Sequence, residues 1–368
     1  MSDDDWKSLT KTFCDHTVSS AVDYGGESDD DYDEKRVKLY GGILPIGSQG
    51  CTYLHCLIIN GKYKGRVVNL DADGDYQKPH FTFENNFLDW YERWLDEVIS
   101  GDLIHEGASW FGYVMGGTDT YLITSFLNSA SETEKNDCLE AILRKRKIED
   151  ETIRIIENEL SNPVTPFKNI CIQLLSKFSY QKAEPHLIEL MNSDLLSVFQ
   201  FVYWYAKDRC IEWLPRIEAK INVIDDKRTF DFCGYILKES KSDYAKLLVP
   251  FTKHSREDMR ITAYYALGQI SNKQAFIETF IVGLNDSSNR VIHSTLQALS
   301  GVKDNRFLKH YKRIAENFPV EKDHILSNLN HRLAEFDLDN LSIQLMTDES
   351  LENWNPKPAK KKWFDFLR

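Results

Sequence analysis

The chain has 368 residues, 42% of them hydrophobic, and a formal net charge of −12. That length suggests two or three domains, each large enough to bury a core. The acidity argues against nonspecific binding to nucleic acid or to anionic membranes, both of which need a basic surface.

The charge is uneven. Residues 1–118 hold 21 acidic against 10 basic side chains, and the remainder 36 against 35. The negative charge therefore belongs to the first part of the chain. An acidic module can imitate a polyanion and fill a basic cleft; plain solubility is the competing explanation. The seven cysteines, Cys14, Cys51, Cys56, Cys138, Cys171, Cys210 and Cys233, form no CxxC pair. Most sit in apolar runs, which points to reduced thiols in a cytoplasmic protein. The first residues are acidic, unlike a signal peptide, and no apolar run is long enough to span a bilayer.

Residues 6–20 read as a short helix or an irregular lead-in. Residues 15–34 are polar and acidic, and the Gly25-Gly26 step followed by Asp29, Asp30, Asp31 and Asp33 predicts a mobile loop. Two β-rich runs, 51–60 and 65–70, flank Gly61-Lys62-Tyr63-Lys64, a hairpin signal. The first run does not alternate cleanly, so it is expected to be covered on both faces. Asp71, Asp73 and Asp75 then mark a turn. Phe81-Thr82-Phe83 is a short extended piece, and Asn85 and Asn86 offer helix caps. Phe87, Leu88, Tyr91, Trp94, Leu95, Val98 and Ile99 recur at helical spacing as one apolar stripe, and Gly101 is a natural stop. The glycine-punctuated aromatic run 110–117 reads as a strand or edge segment packed on the rim of its own sheet.

The segment Leu44-Pro45-Ile46-Gly47-Ser48-Gln49-Gly50, then residues 60–68 with Gly61 and Gly65, then Phe87-Leu88-Asp89-Trp90-Tyr91 resemble, in order and spacing, the SUKH superfamily, the SMI/KNR cell-wall-regulator-like domain. The resemblance covers roughly the first third of the chain. The family usually opens with a helix and a GlyGly step, for which only residues 6–13 and Tyr24-Gly25-Gly26 stand in here. It implies a sheet packed against helices and a protein-binding role, best known from bacterial immunity proteins that block toxins. It does not imply catalysis.

Beyond residue 120 the texture becomes helical. Helices are predicted over 132–146, with a capping start at Ser131, and over 149–161, followed by breaks at Pro163 and Pro166. From residue 167 a pattern repeats: Cys171, Phe201, Cys233, Ala263 and Thr295 each begin an equivalent helical segment, at steps of 30, 32, 30 and 32 residues. Such spacing fits helical repeats, in which stacked helix pairs share a core that one pair cannot form alone. Second helices are predicted near 183–191, 214–221, 244–251, 274–284 and 307–315. Residues 259–268 resemble the HEAT-repeat "VR..A..ALG" helix; residues 291–300 are a weaker copy, with Ile292 where the arginine would stand. A cap helix is expected over 323–335. The expected architecture is thus an α+β domain over 1–118 and a helical linker or first helix pair over 119–165. An all-α HEAT-like solenoid over 166–336 and a tail over 337–368 follow, the tail with an apolar tip at Trp363 and Phe364.

Chemistry is sparse. The Asp71, Asp73, Asp75 spacing lacks the glycine and glutamate of a calcium-binding EF-hand loop. There is no HExxH, zinc spacing or phosphate-binding P-loop. His55 on an apolar strand is expected to be a hydrogen-bonded core histidine. No catalytic, cofactor-binding or metal-ligating set is expected. The functional expectation is a protein-binding module of the immunity type, occluding a toxin domain such as a nuclease, with Asp29, Asp30, Asp31, Asp33, Asp71, Asp73 and Asp75 as the candidate contacts. The alternative is an intracellular scaffold recognising proteins through its helical repeats. A HEAT-like lyase acting on modified bases ranks last, because the repeat half lacks a strong basic stripe.

Overall fold

A computed structural model of the chain describes residues 41–71, 79–105, 110–318 and 324–355. The expectations placed on residues 1–40, on Asp73 and Asp75 and on the tail beyond 355 lie outside the described residues. Two compact units divide the chain, residues 1–187 and 188–368. An antiparallel sheet is followed by helices, so the coarse order is α+β and then all-α.

In the first unit, β1 (Ile43–Gly50), β2 (Tyr53–Ile58), β3 (Val67–Asp71) and β4 (His80–Phe81) pair antiparallel in the order β1-β2-β3-β4. The hairpin between β2 and β3 turns through Gly61 and Gly65, both at positive φ, which glycine adopts without steric cost. Strand β1 runs through the Leu-Pro-Ile-Gly segment, whose proline and glycines disguise it. An edge strand tolerates both. Its register against β2 slips between Pro45 and Gly47 and again between Ser48 and Gly50, the mark of β-bulges. The first bulge lets Ile46 join Val67, Trp90 and Phe111 on one face of the sheet, while Ile43 packs with Cys56, Ile58, Val68 and Leu70 on the other. Strand β2 therefore buries side chains on both faces, as its unbroken apolar run suggests.

Helix α1 (Phe87–Ser100) follows, capped by Asn86 and stopped by Gly101 at φ 84°. The aromatic run 110–117 does not form the expected strand. Gly112 and Gly117 lie at positive φ, which breaks the extended backbone, and the run coils so that Phe111 seats in the sheet core. Helices α2 (Asp119–Asn128), α3 (Glu132–Arg144), α4 (Asp150–Leu160) and α5 (Lys168–Phe178) complete this part, and α6 (Tyr180–Leu190) carries the chain across the division. Ser131 caps α3 as its sequence predicts.

In the second unit, α7 (Leu195–Tyr205), α9 (Lys227–Glu239), α11 (Glu257–Leu267), α13 (Asn289–Ala298) and α15 (His324–Ala334) each pack on the next. Between them in sequence run α8 (Cys210–Lys220), α10 (Ala245–Leu248) with its 3₁₀ continuation Val249–Lys253, α12 (Ile277–Leu284) and α14 (Leu308–Asn317). Short α16 (Asn340–Gln344) and α17 (Asp348–Glu352) pack on α14. The aligned residues Phe201, Cys233, Ala263 and Thr295 fall in α7, α9, α11 and α13, and Cys171 in α5. Cys233, Ala263 and Thr295 are fully buried and Phe201 nearly so.

Candidate functional site

The geometry of α1 decides which of its faces is available. Asn86 Oδ1 accepts from the backbone N–H of Leu88 at 2.9 Å and of Asp89 at 3.0 Å, which fixes the rotation of the first turn. Trp90 and Arg93 then point inward. The Trp90 ring meets His55 edge-on at 5.2 Å and Phe111 at 5.3 Å. Arg93 donates from Nη1 to Glu84 Oε1 and from Nε to Glu97 Oε1, each at 2.7 Å, and its guanidinium lies 5.0 Å over the Phe111 ring. Gly116 is the space this arginine needs, because a Cβ there would fall 2.4 Å from Arg93 Cδ.

Most of the apolar stripe faces outward: Leu88 is 73% exposed and Ile99 82%, and Tyr91, Trp94 and Leu95 are exposed as well, while Phe87 packs against the Val67, Trp90 and Phe111 cluster and Val98 is half-buried. The core instead takes the arc of Trp90, Arg93 and Glu97, spaced i, i+3 and i+7. A large aromatic and a doubly paired arginine fill the space beneath the sheet. Asp89, Glu92 and Asp96 are exposed among the outward apolar residues, and the only base on the helix is the buried Arg93. The result is an apolar surface fringed by exposed carboxylates, none of which forms an ion pair among the described residues, Asp89 accepting only from Asn86 Nδ2 at 2.7 Å. The sequence carries a signal for it: Asp89, Glu92 and Asp96 are interleaved with the stripe.

Of the candidate acidic contacts, only Asp71 is described. It closes β3 opposite Tyr53, and Thr52 Oγ1 donates to its Oδ1. Its carboxylate raises the Tyr53 phenol above its ordinary value. Beside it the rings of Tyr53 and Trp110 stand 4.2 Å apart, and Tyr113 stacks on His80 at 4.9 Å. Asp71 is thus tied into the sheet corner. Behind it His55 Nδ1 meets Asn69 Oδ1 at 2.6 Å, making His55 the hydrogen-bonded core residue its strand implies.

Among the described residues, no three His, Cys, Asp or Glu side chains converge as a metal site would require, and no helix is long and apolar enough to cross a membrane. The described cysteines are free thiols, and burial pushes Cys56, Cys171 and Cys233 up to about 12, where they are inert. No model of a known protein family matches the chain, and comparison with characterised proteins gives no match.

Proposed function

We propose that the chain is a non-catalytic, cytoplasmic protein-binding molecule of the immunity type, with a SUKH-like first domain and a HEAT-like helical array, and that it neutralises a toxin domain by covering its active site. The reading is carried by one observation, the outward apolar face of α1 with its fringe of exposed carboxylates. A soluble surface rarely leaves such a patch without a partner. Apolar anchors ringed by charge of one sign fit a pocket with a basic rim, as in a nuclease that holds a polyanion. The acidic first third of the chain strengthens long-range attraction to that rim. The successive packing of α7, α9, α11, α13 and α15 supports the repeat reading of the second unit.

The test expresses the C-terminal domain of the protein encoded by the neighbouring upstream reading frame, alone and together with this chain. That domain should be toxic by itself and neutralised by this chain; a harmless domain, or one that this chain does not neutralise, would count against the proposal. Protection should be lost on Leu95→Lys, with a cost of roughly 2 kcal/mol or more in binding, while the fold is retained. Affinity should weaken as salt rises. Unchanged protection by Leu95→Lys and Ile99→Lys, or an affinity indifferent to ionic strength, would refute it.

A further inference from the structure

Helices α9, α11 and α13 of the second unit enclose a groove of ≈ 400 Å³. Its walls repeat: Tyr235 and Tyr265 stand two residues beyond Cys233 and Ala263, and Gln297 takes the same place beyond Thr295. Tyr235 is 42% exposed and Tyr265 59%. Tyr203, at the equivalent position of α7, continues the row with its ring 5.2 Å from that of Tyr235. Tyrosine offers a rigid apolar face and a polar tip at low entropic cost, the property that makes it common where proteins bind peptides.

Two further observations say what belongs there. The first is charge. In a chain of net charge −12, the groove is lined by Lys227, Lys238 and Arg290 against one acid, Asp231. That acid is already engaged, by Lys227 and by Thr262 Oγ1 at 3.1 Å. Among the described residues, Arg290 is held by an exposed pairing with Glu257 at 3.2 Å. The second is Gly234, in the middle of α9 on the groove wall. A mid-helix glycine is destabilising relative to alanine, and a Cβ at this glycine would meet nothing within 4 Å. No neighbour demands the missing side chain; what the glycine keeps is open space in the groove.

We propose that this groove binds an extended, acidic stretch of polypeptide whose aliphatic, proline or aromatic side chains lie across Tyr235 and Tyr265. Carboxylates of the segment pair with Lys238 and Arg290, and its backbone exchanges hydrogen bonds with the Gln269 and Gln297 amides, which line the same groove. The site is separate from the α1 face, and its occupant is a second ligand.

The experiment selects a phage-displayed library of random dodecapeptides on the full chain and measures the enriched sequences by fluorescence anisotropy. Enriched peptides should alternate Asp or Glu with apolar residues. Tyr235→Ala with Tyr265→Ala should weaken them by roughly tenfold or more. Gly234→Leu fills the groove without touching the core and should abolish binding while keeping or raising the melting temperature. Leu95→Lys on α1 should change nothing, so failure here and failure of the toxin-binding reading are told apart. No enrichment, enrichment without acidic residues, or binding that survives Gly234→Leu overturns the proposal. So does a fluorescent oligo-dT that binds in place of peptide and is lost in the same variants.

Discussion

Arg260 holds Asp286 through two parallel hydrogen bonds, Nε to Oδ2 at 2.8 Å and Nη2 to Oδ1 at 3.0 Å. The remaining nitrogen donates to the carbonyls of His254 at 2.9 Å and Ser255 at 3.1 Å. Asp286 Oδ1 also accepts from the Ser288 N–H at 2.8 Å. The pair thereby joins the start of α11 to the chain entering α13. Both side chains are nearly buried, so removing one leaves the other's charge stranded. Arg260→Ala should lower stability by about 3 kcal/mol, read from urea unfolding followed by circular dichroism. Arg260→Lys should recover little, because an ammonium cannot reproduce the fork.

Gly268, immediately after α11, has a different reason for its identity. A Cβ there would lie 2.8 Å from Ala298 Cα and 2.9 Å from Ala298 Cβ. The obstacle is largely backbone, which cannot swing aside as a flexible side chain would. Gly268→Ala should cost about 1–3 kcal/mol by forcing α11 and α13 apart. Adding Ala298→Gly should return part of that loss in a double-mutant cycle, since it removes one of the two clashing atoms.

The helical spacing was legible. The residues aligned at steps of 30 and 32, Cys171, Phe201, Cys233, Ala263 and Thr295, each fall in a helix, α5, α7, α9, α11 and α13, and buried helical positions are the ones a hydrophobic pattern reveals. In the weaker copy Ile292, which stands where the sequence alignment would place an arginine, is buried. Strand β1 was hidden because its bulges put proline and glycine where a strand would show alternation. The orientation of α1 was hidden because a hydrophobic stripe states an amphipathic helix without saying which face the rest of the domain can accommodate. That choice rests on Glu84 and Phe111, neighbours that only the fold brings to Arg93.

The reversed helix makes a prediction opposite to the one its hydropathy suggests. Trp90 contacts His55, Phe87 and Phe111, whereas Leu88 is largely in water. Trp90→Ala should destabilise the first unit by about 3–5 kcal/mol. Leu88→Lys should stay within about 0.5 kcal/mol of the parent, and it replaces an apolar contact on the proposed interface. Thermal melts of the two variants decide the orientation directly. A large loss on Leu88→Lys with a small one on Trp90→Ala would mean that the stripe faces inward after all.

Acid should loosen the sheet through its histidines. Burial lowers the His55 pKa from its ordinary 6.5, the Asn69 contact opposing the shift only in part. Burial likewise lowers that of His80, with Asp137 pulling weakly the other way. The folded state therefore keeps both imidazoles neutral where the unfolded chain already binds protons. Their contribution to stability is complete above about pH 6.5 and is lost as the pH falls through the unfolded value toward the lower folded one. Urea midpoints should drop between about pH 7.5 and pH 5, and the drop should shrink in His55→Gln, which stays uncharged throughout. His310 in the second unit, also lowered by burial and by Lys309 and Arg313, leaves a residual slope in that variant. A His55→Gln profile as steep as the parent's would show that this imidazole does not resist protonation in the folded sheet.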